Sequence, residues 1–580
     1  MTEKTYIKGK DSDLETSIAT MEGKLKSFGF DIEQASWLNP VSNVYSVHIR
    51  DKSCPLMFTN GKGSTEKSCL ASALGEYFER LSCNYFFADF YLGEQHSQHE
   101  FVHYPDERWF NGSGDTMPDG LMDQSLWDYF DPEKELSPDK LFDINSGIGE
   151  RGICAAPYQR LRDGKTLYIP INIIANIFVS NGMSAGNTRN EARVQSLSEI
   201  FERYVKNKII AEGLCLPEVP KDVLARYPDI QKSIQELEDH GYILKVADAS
   251  LGGQYPVMSV TLINPKDGSV FASFGAHPSF EVALERTVTE LLQGRNLDQL
   301  DVFHPPIFDQ DEVASPQNLE MHFIDSSGFI SNDFFRSTTD YAFYDWDHDA
   351  ETKDEFNYLS AKIDDMGFDI YIADYEHLDV YACRILVPGM SDIYPVDELV
   401  WENNNEGALF REDFLTLKQG DNERWQAILE RLDDGAYNDQ ALAAAFIGLA
   451  PDPNTLWSTV RLGEIKAMLY LALQDEQAIE WLDWCLALEQ GSDERVRYYR
   501  CLKALLEIKW HPQRQYEDYQ QGLEYLYGAR NVTDGLAIVE GDKIFHDLHC
   551  PGLGLEGFER HIKLLEGYQK LQNAKQNNWK

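Results

Sequence analysis

The chain has 580 residues, room for roughly three to five domains and ample for a hydrophobic core. Its 52 Lys and Arg against 96 Asp and Glu leave a net charge of −44. That excludes unassisted binding to nucleic-acid phosphates or anionic membrane surfaces, so any polyanionic ligand must arrive with cations. A hydrophobic fraction of 43% with 12% aromatics excludes global disorder.

Residues 1–20 hold no apolar signal-peptide core. Leu14, Ile18, Met21, Leu25 and Phe28 recur at helical spacing and predict a helix over 11–28, and Tyr45–Ile49 alternates like a strand. Residues 81–140, rich in aromatics, Pro, Gly and Asp, predict long ordered loops, with the run Tyr85–Tyr91 as core packing. Further strands are predicted at Leu167–Ile174, Val257–Ile263, Val270–Phe274, Ile370–Ala373 and Val380–Val387. The polar stretch Trp401–Gly407 and the Gly/Asp segment at 419–422 mark a boundary at about 405–440. Beyond it helical periodicity takes over: Arg461–Leu473 and Ala478–Leu488 read as a helical hairpin, and a similar helix starts at Arg495. A degenerate tetratricopeptide-type repeat and an irregular helical bundle both fit this pattern. The fold class is α+β with an all-helical C-terminal domain, divided as 1–56, 57–430 and 440–580. The most apolar run, Ile169–Val179, is short and broken by Pro170, Asn172 and Asn176, and the nine scattered cysteines form no C-x-x-C. A soluble cytoplasmic protein with reduced thiols is expected.

The chain also repeats itself. Ala73-Leu-Gly-Glu-Tyr-Phe-Glu-Arg80 and Ser196-Leu-Ser-Glu-Ile-Phe-Glu-Arg203 share Leu, Glu, Phe, Glu and Arg at the same offsets, 123 residues apart. Thirteen residues before the first Glu of each stands a glycine, Gly63 or Gly186, so the repeating unit reads as a glycine loop feeding a helix. A fainter third copy, Gly275-Ala-His-Pro278 followed by Ala283–Glu290, aligns through Ala-Leu and places Arg286 where Glu76 and Glu199 stand.

At about 100° per residue from Glu191 as zero, Asn187 falls near −40°, Gln195 near 40°, Glu202 near 20° and Glu199 near 80°. One face thus gathers three carboxylates and two amides. Glu76 and Glu79 likewise stack a turn apart, where like charges repel. In so acidic a chain such a pair is ordinarily a solvated face. Here Leu74, Tyr77, Phe78 and Leu81, and Leu197, Ile200, Phe201 and Tyr204, surround the acids with a wide apolar arc, which predicts burial. Buried carboxylates need protons, partners or cations. An all-oxygen set without His or Cys favours Mg²⁺, which bridges carboxylates to substrate phosphates. The glycine loops would present backbone N–H groups and helix N-termini to those phosphates. Arg203 and Arg286, with Lys10 and Lys62, would neutralise the remainder. These parts fit a nucleoside triphosphate site. The dinucleotide fingerprint, the G-x-x-x-x-G-K-[ST] loop and the protein-kinase motifs are all missing, so the ATP fold is neither P-loop nor protein kinase.

Gly61–Thr65 with Ala73–Arg80, Val179–Arg193 with Ser196–Arg203, Phe274–Pro278 with Ala283–Gly294, and Val387-Pro-Gly389 together resemble the YcaO family over essentially the whole chain. The resemblance implies a YcaO-type ATP-binding domain, ATP and Mg²⁺ as cofactors, and activation of a peptide amide oxygen by phosphoryl transfer before a nucleophile attacks. Carried over residue by residue, it implies Glu76, Glu79, Glu191, Glu199, Glu202 and Glu290 as metal ligands. The nucleotide contacts it implies are Lys10, Ser17, Ser184, Asn187, Arg203 and Arg286. The sequence closes on Gln576-Asn-Asn-Trp-Lys580 without the proline-rich C-terminus of azole-forming members. With its helical C-terminal domain it resembles instead the subgroup regarded as accessory to β-methylthiolation of a small-subunit ribosomal protein. A peptide or protein substrate, that ribosomal protein and its methylthiotransferase are the implied partners. A homodimer through the C-terminal domain is expected, with no direct nucleic-acid or membrane contact. Two other readings stay open: a non-catalytic, nucleotide-regulated scaffold whose helical repeats dock a partner, and a metal-dependent hydrolase that uses the acids without nucleotide. Among weaker signals, His546-Asp-Leu-His-Cys550 reads as a helix-end cluster and Cys154 as a buried thiol. His277 before Pro278 either touches phosphate or holds a turn.

Overall fold

The computed structural model describes residues 4–112, 116–144, 146, 151–300, 303–397, 405–488 and 492–579. Asp13 accepts the Thr16 N–H and opens α1 (Leu14–Ser27), which turns Leu14, Met21 and Leu25 inward. An antiparallel sheet of β1 (Ile32–Val41), β2 (Val44–Asp51) and β3 (Phe58–Gly63) follows. Thr65 then caps α2 (Glu66–Ser82) in a reciprocal box with Ser68. The described residues between α2 and β5 (Ile153–Arg160) form loops and short elements, β4 (Arg108–Phe110) among them, and β6 (Thr166–Pro170) follows β5.

The strand expected to reach Ile174 stops at Pro170, because proline presets φ and cannot donate to a ladder. Residues 171–178 are helical instead, and Ile174–Phe178 widens into a π-helical turn. After β7 (Met183–Gly186), Thr188 caps α3 (Arg189–Glu212), which ends at Gly213 in the left-handed region (φ 61°). A second antiparallel sheet, β8 (Ile243–Asp248), β9 (Val257–Ile263) and β10 (Val270–Ala276), leads into α4 (Phe280–Leu291). No side chain of its own caps α4; Asp347 Oδ1 accepts the Phe280 N–H at 3.0 Å. Finally β11 (Tyr371–Tyr375) and β12 (Tyr381–Leu386) complete a six-stranded sheet ordered β4-β5-β11-β12-β7, with β6 paired to β5.

Three units therefore share one construction, strand then helix, each drawn from a different sheet: β3–α2, β7–α3 and β10–α4. The glycines lie in the strands and press them onto the helices. A methyl built on Gly63 would lie 2.6 Å from Cys69 N and one on Gly186 2.9 Å from Ala192 N. Both pairs are 123 residues apart, as the sequence echo has it. A methyl on Gly61 would meet Ala73 N, and one on Gly275 Thr287 N, each at 2.7 Å. These glycines are packing positions at strand ends, where the spacing predicts a loop.

The same pairs correct the third copy. Gly61 against Ala73 is matched by Gly275 against Thr287, and the Thr59 hydroxyl on Ala73 O (2.9 Å) by the Ser273 hydroxyl on Thr287 O (2.8 Å). Every member lies 214 residues further on, which puts Glu290, not Arg286, in the place of Glu76 and Glu199; Arg286 stands one turn earlier. The sequence match through Ala-Leu slipped by one helical turn because the helix interior repeats small and apolar residues at that period. Contacts of α2 with β7, α3 with β10 and α4 with β3 close the three units into a ring.

Among the described residues the C-terminal part is built of helices and loops: Asn422–Asp434, Leu462–Ala472, Ala478–Ala487, Asp493–Lys509, Tyr516–Tyr527 and Ala529–Val539 are its main helices. The hairpin expected from Arg461 pairs Leu462–Ala472 with Ala478–Ala487. Residues 401–404 of the boundary stretch, and Lys580, lie outside the described residues. The last helix, Glu559–Asn578, returns to the first unit and sets Leu564, Tyr568, Leu571 and Ala574 into one core with Met21, Leu25, Tyr77 and Phe78. The aromatic run bridges the two parts: Phe87 meets Tyr568 edge to face at 5.4 Å, and Tyr91 N donates to Gly448 O at 2.8 Å. Among the described residues no helix is long and apolar enough to cross a membrane.

Candidate functional site

The inward turns of α2, α3 and α4 bring five of the six expected metal-ligating glutamates to one place. Arg80 Nη2 stands 3.2 Å from Glu76 Oε1 and its Nη1 3.6 Å from Glu79 Oε1; Arg203 Nη2 stands 3.3 Å from Glu199 Oε1. Lys62 reaches from β3 to ion-pair with Glu290 on α4. Burial pushes the Glu79 carboxyl well above the ordinary carboxylate range, with the Glu199 and Glu76 charges adding to the shift and Arg80 and Arg203 opposing it. Burial likewise pushes the Lys62 ammonium down to about 8 and lowers the Arg286 guanidinium, while Glu202 and Glu199 act on both in the opposite direction. Carboxylates from α2, α3 and α4 thus share one field with four cations.

The remaining residues form a second, tighter knot. Asp11 N donates to Glu191 Oε2 at 2.8 Å, Asn187 Nδ2 donates to both Glu191 oxygens, and Lys10 Nζ lies 3.4 Å away. Ser17 Oγ donates to Asn187 Oδ1 at 2.7 Å. Glu191 is buried and already satisfied by protein donors. Asn187 precedes the Thr188 cap and so lies off the helix, yet it still meets Glu191. Ser184 is fully buried and its hydroxyl donates to Ala192 O at 2.6 Å, inside the strand–helix contact. His277 joins the two groups: burial holds it well below the ordinary imidazole range, and Arg286 and Lys10 both add to that. Its Nδ1 accepts the Ser279 N–H at 3.1 Å, so it holds the turn.

A cleft of about 270 Å³ opens on the ring, lined by Glu202, Arg203, Lys206, Glu290, Gln293 and Arg295. Lys206 ties its wall by donating to His322 O (2.7 Å) and Ser326 Oγ (2.8 Å). Arg80, Lys206 and the buried Glu355, whose Oε2 lies 3.9 Å from His277 Nε2, have no role in the sequence reading. Arg80 was nonetheless legible, because it follows Glu76 by four residues as Arg203 follows Glu199. Glu355 lies far along the chain and carries no local signal.

The residues fit a hard cation with phosphate. Arg80 Nη1, Arg203 Nη1 and Glu199 Oε1 are buried and make no hydrogen bond; Arg80 Nη1 and Glu199 Oε1 are held only by ion pairs, at 3.6 and 3.3 Å, a donor and acceptor set suited to phosphate oxygens and a cation. The acids pair with arginine and lysine: Glu76 and Glu79 with Arg80, Glu199 with Arg203 and Glu290 with Lys62. Among the described residues the group of three or more candidate ligand atoms within 4.8 Å of one another is His103, Asp143 and Cys154, elsewhere in the fold. The sequence HDLHC at 546–550 shows no such site: His549 is bound to Glu556 O at 2.6 Å.

The model of the YcaO cyclodehydratase domain, described as ATP- and Mg²⁺-binding, matches residues 60–391, and that of the YcaO cyclodehydratase C-terminal domain matches 407–577. The chain is 54% identical over 581 residues, 99% of each chain, to a protein of Escherichia coli named ribosomal protein S12 methylthiotransferase accessory factor YcaO. It is 54% identical over 587 residues, all of both chains, to an uncharacterized protein of Haemophilus influenzae. Among solved structures, a heterocyclase in complex with substrate and cofactor aligns at 15% identity and a TM-score of 0.43, covering 67% of this chain and 54% of that one. YcaO from Methanopyrus kandleri bound with AMPPCP and Mg²⁺ aligns at 16% and 0.42, covering 67% and 95%. By both family models and by its relatives, the chain belongs to the YcaO family, an ATP- and Mg²⁺-binding one.

Proposed function

We propose that the chain uses ATP to activate a peptide amide, and that it serves β-methylthiolation of a small-subunit ribosomal protein as an accessory factor. The observation that carries the reading is the ring itself: three kindred helices bring Glu76, Glu79, Glu199, Glu202 and Glu290 into one electrostatic field with Lys62, Arg80, Arg203 and Arg286. The E. coli relative's name supports the biological setting. The glutamates would hold Mg²⁺, which supplies charge neutralisation on the phosphates when bound. Arg80, Arg203 and Arg286 would hold phosphate oxygens, and Lys10, Ser17 and Asn187 the rest of the nucleotide. ATP would supply its γ-phosphoryl group to the amide oxygen, with ADP as the leaving group, and phosphate would later leave from the carbon that the nucleophile joins. In this scheme the acids are ligands and not general bases.

Glu202→Gln tests it. Calorimetry with ATP and Mg²⁺ should show affinity weakened about tenfold or more, some 1.4 kcal/mol, and steady ATP hydrolysis should disappear. Unchanged hydrolysis in that variant overturns the assignment. One observation favours a second reading, in which the C-terminal helices dock a partner and nucleotide only regulates them: Tyr525 and Leu526 point outward, 80% and 67% exposed. Steady ADP and phosphate production without any partner decides against it.

A further inference from the structure

Three side chains that the amide-activating scheme does not use meet where β4, β5 and the last helix come together. A ring nitrogen of His103, a carboxylate oxygen of Asp143 and the Cys154 sulfur all lie within 4.8 Å of one another, and the three residues are 6%, 7% and 0% exposed. The backbone fixes each of them. Cys154 sits in β5 opposite Trp109 of β4, and Asp143 N donates to Gly152 O at 3.1 Å. The Glu107 carboxylate accepts the N–H groups of Val102, His103 and Tyr104 at 2.7–3.0 Å, and Lys575 Nζ donates to His103 O at 2.8 Å.

An imidazole, a carboxylate and a thiol in one small volume are the ligands of a borderline ion, not of Mg²⁺, which takes oxygen. Zn²⁺ binds N, O and S together at about 2.0–2.3 Å in a tetrahedron, which sets the ligand atoms roughly 3.3–3.8 Å apart. His103 Nε2 and Asp143 Oδ2 are 2.7 Å apart, so an ion that replaces the proton between them widens the contact by about half an ångström. Burial pushes the Cys154 thiol well above its ordinary range, the Glu107 and Asp143 charges add to the shift, and Arg151 opposes it. The same negative surroundings favour a divalent cation, which sends the thiol proton to solvent as it binds.

A second observation points to the same ligand. A histidine that binds metal through Nε2 carries its proton on Nδ1 and donates it to an outer acceptor. The Asn84 carboxamide stands at that place: its Nδ2 lies 3.2 Å from His103 Nδ1, and its Oδ1 is buried without a hydrogen-bond partner. Half a turn of this amide brings the oxygen to the Nδ1–H. A small cavity of about 70 Å³ touches His103, Asp143 and Ser146, with room for a water on the fourth metal position. We propose that His103, Asp143 and Cys154 hold one Zn²⁺, with Asn84 orienting the imidazole. The ion staples residues 102–104 to β5, and on those residues the last helix rests through Tyr568, Gln572 and Lys575. None of this depends on the amide-activating function.

The test titrates Co²⁺, a coloured stand-in for Zn²⁺, into the full chain after stripping with a chelator, with Mg²⁺ kept saturating. One equivalent should give the visible bands of a tetrahedral ion and a thiolate-to-metal charge-transfer band in the near ultraviolet, and Zn²⁺ should bleach both. Cys154→Ser should lose the charge-transfer band and His103→Gln should weaken Co²⁺ binding about tenfold or more. Glu79→Gln, which alters the sulfur-free glutamate ring, should leave the spectrum intact. X-ray absorption at the zinc edge of the wild type needs no variant to fold: one sulfur at about 2.3 Å with nitrogen and oxygen near 2.0 Å supports the site, and an all-oxygen shell overturns it. Absence of the charge-transfer band in the wild type, its retention in a folded Cys154→Ser variant, or its loss in Glu79→Gln also overturns the assignment. The thermal midpoint with Zn²⁺ should lie about 5 °C or more above that of the stripped chain, and an unchanged midpoint with the ion bound overturns the staple.

Discussion

Two glycines of the first unit make opposite demands. A methyl on Gly61 would fall 2.2 Å from Cys69 O and 2.7 Å from Ala73 Cβ, with no flexible side-chain end to yield. Gly61→Ala should therefore lower stability by about 1–3 kcal/mol or more in denaturant titration, and prise α2 from β3. Gly75, one residue before Glu76 in α2, has open space where its methyl would be. Gly75→Ala should instead raise stability by about 0.5–1 kcal/mol, since helix interiors penalise glycine. In the sequence both are merely glycines near glutamates. Which one is a contact and which a defect depends on the strand lying against the helix, and that distance has no local signature. The acids were legible for another reason: Leu74, Tyr77, Phe78 and their counterparts flank them at helical spacing, so burial could be read together with charge.

Helices and sheets tell a similar story at their own scale. α1 and β2 follow their apolar periodicity closely, and the register of α2 with α3 is written in five residues shared at the same offsets. The slip in α4 and the strand overrun past Pro170 arise where apolar residues are so frequent that neighbouring registers score alike. The last helix carries a device of its own. His561 is fully buried; its Nδ1 accepts the Ala450 N–H at 3.0 Å and its Nε2 donates to Tyr91 O at 2.7 Å. Both ring nitrogens are engaged in the neutral form, and burial pushes the imidazole down to about 4. The unfolded chain, titrating near 6.5, then binds the extra proton between pH 6.5 and about 4, so stability is lost as pH falls through that window, by up to about 3 kcal/mol for such a group. His561→Gln keeps an acceptor and a donor but does not titrate. Thermal unfolding followed from pH 7 to 4 should show a shallower decline in this variant than in the wild type.

At the scale of the whole molecule, the first unit owes part of its core to the final helix. Leu564, Tyr568, Leu571 and Ala574 are at most 5% exposed, and Tyr568 and Gln572 both donate to Val102 O. Burying each large apolar side chain contributes about 1.5–3 kcal/mol, comparable in sum to the net stability of a domain. Deleting Glu559–Asn578 should thus unfold more than a helix: α1 and α2 lose their cover, and with them Glu76 and Glu79 lose their aim. Circular dichroism should report a broadened, low-temperature transition, and calorimetry no ATP binding.

Tyr568 and Val102 are 466 residues apart in the chain. During synthesis α2 therefore emerges long before the helix that completes its core, and it must wait, partly uncovered, through hundreds of elongation steps. The glutamate ring cannot be finished on a nascent chain that is still missing this helix, so a truncated translation product would be inert toward nucleotide and exposed to proteases.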